Sequence, residues 1–121
     1  MNVTIFPSAQ RGVATYNSPP VATLGKKGIR VFLEITERTS TSTLNVKLQV
    51  YDPIAGQWHD LTGASFAAKS ATGRDYLTIY PGLGAVANAA VDQVVTSPIR
   101  AVAVVGSAGV MTFSVSGTLI D

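Results

Sequence analysis

Apolar and polar side chains alternate along four stretches of the chain. In IRVFLEITE, residues 29–37, Ile29, Val31, Leu33 and Ile35 share one side, and Arg30, Phe32, Glu34 and Thr36 share the other. In LNVKLQVYD, Leu44, Val46, Leu48 and Val50 face one way and Asn45, Lys47, Gln49 and Tyr51 the opposite way. RDYLTIYPG sets Leu77 and Ile79 against Tyr76, Thr78 and Tyr80. VMTFSVSGTLI sets Met111, Phe113, Val115 and Leu119 against Thr112, Ser114, Ser116 and Thr118. A period of two is that of a strand with one face buried.

Punctuation between these runs supplies the turns. The polar link RTSTST reads as a short loop, so 29–37 and 44–52 are expected to pair as an antiparallel hairpin. Asp52-Pro53-Ile54-Ala55-Gly56 has a proline to preset φ, an aspartate to bond the backbone ahead and a glycine for positive φ. A short strand, Gln57 to Leu61, follows, with Trp58 and Asp60 on one face and His59 and Leu61 on the other. IRAVAVVG after Pro98 is apolar on both faces apart from Arg100, as a central, covered strand would be. Gly106-Ser107-Ala108-Gly109 reads as a hairpin turn. Residues 82–97 have enough Ala for a short helix, but their flanking Gly and Val-rich end favour an irregular connection.

The expected architecture is all-β, an antiparallel β-sandwich or jelly roll of about seven short strands. Residues 28–121 form its single domain. Residues 1–27, interrupted by Pro and Gly, read as an extended N-terminal arm or edge segment outside the core.

Composition narrows the function classes. Charged residues are 13% of the 121, about half the usual share for a soluble domain. Such a surface either suits burial against a partner or is an ordinary Ser/Thr-rich β surface. A net charge of +2, scattered apart from Lys26, Lys27 and Arg30, gives no basic stripe for nucleic acid. No apolar run is long enough for a membrane span, and MNVTIFPSAQ has no signal-peptide pattern. Without Cys there are no disulfides, zinc thiolates or Cys nucleophiles.

The only Trp, the only His and two aspartates lie within residues 52–60. Asp52 and Asp60 flank the turn. Paired catalytic carboxylates would have to converge with their pKa values pushed apart, and calcium needs more oxygens than this loop offers. His59 lacks the GxSxG context of a hydrolase and the companion ligands of a catalytic metal. A polar hairpin turn explains these residues more simply. Tyr51, Trp58 and Tyr76 are candidates for an aromatic glycan platform, although a cross-strand pair packing the hairpin is the plainer reading of Trp58. GLGAVANA lacks the last glycine of a dinucleotide fingerprint. Lys26 and Lys27 read as a solvated strand edge. No catalytic residue, metal or cofactor is expected.

One combination of motifs carries a resemblance. VKLQVYDPIAGQWHDLTGASFAA, ATGRDYLTIYPGL, PIRAVAVVG and TFSVSGTLI together resemble small virion structural proteins of tailed bacteriophages, of the capsid-decoration or head-associated type. The similarity runs from about residue 28 to residue 120. It rests on Asp52, Pro53, Gly56 and Trp58, on Thr72 and Gly73, on Tyr80 to Leu83, and on Pro98 and Arg100. It implies a non-enzymatic protein, made in the host cytoplasm and placed on the capsid surface of the virion. The implied partner is the major capsid protein, with a homo-oligomer, foremost a trimer, as the assembly state. The N-terminal segment can then add a strand to a neighbour, with Phe6, Tyr16, Pro19, Pro20 and Leu24 as candidate partner-binding residues. A carbohydrate-binding β-sandwich module and a tail or neck component are the alternatives.

Overall fold

Alternation along the chain becomes burial in the structure. The computed structural model describes residues 1–121 other than Leu24. Its strands are β1 (Asn2–Asn17), β2 (Gly28–Arg38), β3 (Thr43–Asp52), β4 (Gln57–Ser65), β5 (Gly73–Ile79), β6 (Ala90–Val91) and β7 (Ile99–Ile120). Among the described residues there is no helix. Ile29, Val31, Leu33 and Ile35 of β2, Leu44, Val46 and Leu48 of β3, and Leu77 and Ile79 of β5 all point into one core. Met111, Phe113, Val115 and Leu119 of β7 complete it. As expected, residues 82–97 are mainly irregular, holding only the two-residue β6.

The strands lie in the order β4-β3-β7-β2-β5-β6, with β1 along the other edge of β7. All pairings are antiparallel except β5 with β6. The first half of β7 pairs with β3, from Ile99↔Val50 to Gly106↔Thr43. The second half pairs with β2, from Met111↔Arg38 to Ile120↔Gly28. The far strands curl towards each other, β4 lying against β5 and β6. There the Asn88 side-chain amide donates to the Ser65 carbonyl at 3.0 Å. The result is a mostly antiparallel, nearly closed, barrel-like sheet.

Three expectations are corrected. First, β2 and β3 do not form a hairpin with each other, because they lie end to end along the same edge of β7, with Arg38 opposite Met111 and Thr43 opposite Gly106. The link between them runs alongside the middle of β7 instead. The Thr39 amide donates to the Val110 carbonyl at 3.0 Å, and the Val110 amide donates to Thr39 Oγ1 at 2.9 Å. The buried Ser42 hydroxyl donates to the same Val110 carbonyl at 3.1 Å. Each strand thus meets its backbone needs on a different half of β7.

Second, Gly106 to Gly109 are not a hairpin turn, because β7 continues through them as one strand. Opposite them on β1, Gly12 pairs with Val110 and Ala14 with Val105, so residues 106–109 face Val13 alone. This is an enlarged β-bulge, which bends the strand without reversing it. Ser107 and Gly109 take φ of 67° and 92° within it. A Cβ on Gly109 would press on the Thr39 carbonyl and lie 2.8 Å from Thr39 Oγ1, so the corner has room for glycine alone.

Third, of the two readings of the N-terminal segment the structure has the edge strand and not the free arm, and the segment contributes to the core instead of lying outside it. β1 follows β7 from Asn2↔Thr118 to Asn17↔Val102, as an edge strand. Ile5 and Phe6 enter the core, and the Phe6 ring meets Phe113 edge-on at 6.0 Å. Beyond β1, the Ser18 amide donates to Ala101 and Val21 bridges to Ile99. The cause is the second edge of β7, whose amides and carbonyls need partners that β2 and β3 cannot reach. Residues 1–27 and 28–121 therefore contribute to one sheet. The open edge of β1 is interrupted by Pro7 and three register shifts, which discourage further strand pairing.

Phe6→Ala is expected to cost about 3 kcal/mol or more in urea unfolding, as for a buried aromatic. Pro19→Ala, on an exposed link, should cost less than about 0.5 kcal/mol. Equal, small effects would return the segment to an arm. Gly109→Ala should lower stability by more than about 1 kcal/mol, because the alanine must hold positive φ against Thr39.

Candidate functional site

The cluster of Trp, His and aspartates is the β3–β4 hairpin. Asp52 Oδ1 accepts from the Ile54 and Ala55 amides at 3.0 and 3.2 Å, and the Gly56 amide returns to the Asp52 carbonyl at 2.9 Å. Gly56 supplies the φ of 69° that closes the turn. Tyr51 then faces Trp58, and Gln49 faces Asp60. The rings of Tyr51 and Trp58 are 5.0 Å apart at 53°. Arg100 of β7 lies 4.5 Å over Trp58 and donates to Gln49 Oε1 at 2.8 Å. Asp60 accepts from Gln49 at 2.9 Å and from Lys47 at 3.1 Å. His59 stands exposed, with Nε2 3.9 Å from Asp52 Oδ2.

Both carboxylates are thus used locally. The Ala55 and Ile54 amides, and then His59, hold Asp52 below the ordinary aspartate range. Gln49 and Lys47 do the same for Asp60. Two carboxylates lowered together lack the split that acid–base partnership requires. Among the described residues no group of three or more His, Cys, Asp or Glu converges.

The glycan platform of Tyr51, Trp58 and Tyr76 is not assembled. Tyr76 lies on β5, which pairs with β2 and β6 and not with β3 or β4. Its neighbour is Phe32, directly opposite on β2, at 6.2 Å between ring centres and 44° between planes. Phe32 is 40% exposed and Tyr76 55%. Phe32 was legible as an outward residue of IRVFLEITE. Its meeting with Tyr76 required the β2–β5 register, which local pattern does not fix.

The candidate partner-binding residues are also dispersed. Phe6, 5% exposed, belongs to the core and offers no surface. Tyr16 is half-buried and its hydroxyl donates to the Gly12 carbonyl at 2.8 Å. Pro19 and Pro20 are exposed, and Leu24 lies outside the described residues. Large apolar side chains do face solvent elsewhere. Ile54, 98% exposed, tips the β3–β4 hairpin, and Leu83, Val86 and Val94 stand on the loops around β6. Lys26 is paired with Asp121, and the Lys27 backbone donates to Ile120 at 3.0 Å, so this end of the sheet is tied down.

The two lowered carboxyls set a direction for pH dependence. Their contribution is complete above the unfolded-chain pKa and is lost as pH falls through the folded value. Carboxyl-carbon NMR titrations of Asp52 and Asp60 should give midpoints below an ordinary aspartate. Asp52→Ala should speed amide exchange at Ile54 and Ala55 at fixed pH. Unchanged exchange there would remove Asp52 from the turn's support.

Compared with protein-family models, with curated proteins and with solved structures, the chain finds no match, so its function is read from its own residues.

Proposed function

We propose that the chain is a non-enzymatic structural protein of a bacteriophage virion, foremost a decoration protein that binds and stabilises the assembled head. The observation that carries this reading is the resemblance over residues 28–120. Its quoted positions fall on the punctuation of the sheet. Asp52, Pro53, Gly56 and Trp58 build the β3–β4 hairpin, and Thr72 and Gly73 open β5. Tyr80 to Leu83 leave β5, and Pro98 and Arg100 open β7.

Within this proposal the fold is a sandwich of jelly-roll type. The two halves of β7, paired with β3 and with β2, act as its two layers, and the Gly106–Gly109 corner joins them. Contact with the major capsid protein then falls to the loops. Ile54 on the hairpin tip and Leu83, Val86 and Val94 around β6 are apolar side chains that a partner would cover. The N-terminal segment is already paired within the chain, so strand donation to a neighbour is not part of the proposal. A trimeric homo-oligomer and a place on the capsid surface belong to the same reading.

Quantitative mass spectrometry of purified virions, against the major capsid protein, tests it. A simple lattice ratio is the expected result. A few copies per particle would move the protein to the neck or tail, and absence from the particle would overturn the virion reading.

A further inference from the structure

The outer face of β5, β2, β7 and β1 forms a register-aligned grid. Its central row is Tyr76, Phe32, Ser116 and Thr4, each paired with the next across the strands. The row on one side is Thr78, Arg30, Thr118 and Asn2. The row on the other is Arg74, Glu34 and Ser114. Two exposed rings therefore sit side by side, bordered by hydroxyls and an amide on one flank and by the Arg74–Glu34 ion pair on the other. Arg30 lies 5.3 Å from the Tyr76 ring centre and donates to Thr78 Oγ1 at 2.9 Å, which holds the ring in place.

Phe32 divides two hollows. One, of about 520 Å³, is lined by Phe32, Glu34, Arg74, Tyr76, Ser114 and Ser116. The other, of about 320 Å³, is lined by Asn2, Thr4, Phe32, Ser116 and Thr118. Both fall in the size range of small-ligand sites, about 300 to 1,000 Å³.

The chemistry of the face selects among ligand classes. Arg74 is already paired with Glu34, and Asp75 with Lys69, so among the described residues Arg30 is the single cation left over on the face, too little positive charge to address a phosphate backbone. The apolar part is confined to two rings within a polar surround, small beside the roughly 1,000 Å² that a stable protein interface needs. Ring faces accept the C–H side of a pyranose. Hydroxyls, an amide and a paired arginine–carboxylate can each exchange hydrogen bonds with sugar hydroxyls. We infer that this face is a binding site for a neutral saccharide, with one pyranose ring in each hollow and Phe32 between them. The site is distinct from the Tyr51–Trp58 hairpin and does not depend on the virion reading.

Saturation-transfer NMR and amide-shift mapping with maltotriose, cellotriose and chitotriose test the inference. The expected result is saturation of ring protons in at least one sugar, with shifts centred on residues 30–34, 74–78 and 114–118. Tyr76→Ala should weaken that binding about tenfold, the scale of one good stacking contact. Trp58→Ala should leave it unchanged. Phe32→Ser, at a position 40% exposed on the same face, should weaken the binding likewise and provides a second reading should Tyr76→Ala perturb folding. Binding that survives loss of Tyr76, binding that follows Trp58, or no saturation transfer to any of the three sugars would overturn the assignment.

Discussion

Backbone hydrogen bonding along both edges of β7 is the constraint from which the other strands take their places. A strand of 22 residues presents more donors and acceptors than one neighbour of ordinary length can satisfy. β3 and β2 share one edge, each taking half, and β1 takes the other edge almost from end to end. So long a strand must also bend if its side chains are to enclose a core. The bend falls where Gly106 to Gly109 bulge away from β1. Thr39 and Ser42 lock that corner from the β2–β3 link.

The same arrangement decides what the outer surface can offer. Because β3 and β2 pair with different halves of β7, the outward aromatics of β3 and β4 do not meet those of β2 and β5. The outer surface has two aromatic pairs in place of one platform, each with an arginine against it. The Tyr51–Trp58 pair is bound up with Arg100, Gln49, Asp60 and Lys47, and these contacts hold the hairpin. The Phe32–Tyr76 pair has hollows beside it and small hydroxyl side chains around it. Small neighbours leave rings standing proud, and this makes it the more open of the two for a ligand.

Much of the inward face was legible in the sequence. The alternation in IRVFLEITE, LNVKLQVYD, RDYLTIYPG and VMTFSVSGTLI maps directly onto buried side chains. The DPIAG turn was also legible, because Asp52 and Gly56 act within five residues of chain. Pairing partners were not. RTSTST reads as a hairpin loop whether its strands meet each other or lie end to end along a third strand that arrives about 60 residues later. GSAG carries the glycines of a turn, and only an opposing β1 turns it into a bulge. The N-terminal segment looked like an arm because Pro7 and Gly12 break its periodicity. The structure accommodates both in a strand with three register shifts. The aromatic site followed the same logic, since Phe32 and Tyr76 are 44 residues apart and meet only through register.

Charge placement bears on recognition by either proposed partner. Every arginine is committed: Arg11 to the Phe6 and Phe113 rings, Arg30 to Tyr76, Arg38 to the Ser42 carbonyl, Arg74 to Glu34 and Arg100 to Trp58. Lys26, Lys47 and Lys69 pair with Asp121, Asp60 and Asp75. The Lys–Asp and Arg74–Glu34 pairs add little stability, and a net charge of only +2 leaves a weak field to steer a charged ligand from a distance. Association with such a surface must rely on short-range shape, ring faces and hydroxyl hydrogen bonds. That suits a neutral saccharide on the β2–β5 face. It suits equally a head surface on which many copies dock side by side, where uncompensated charge would set each copy against its neighbours.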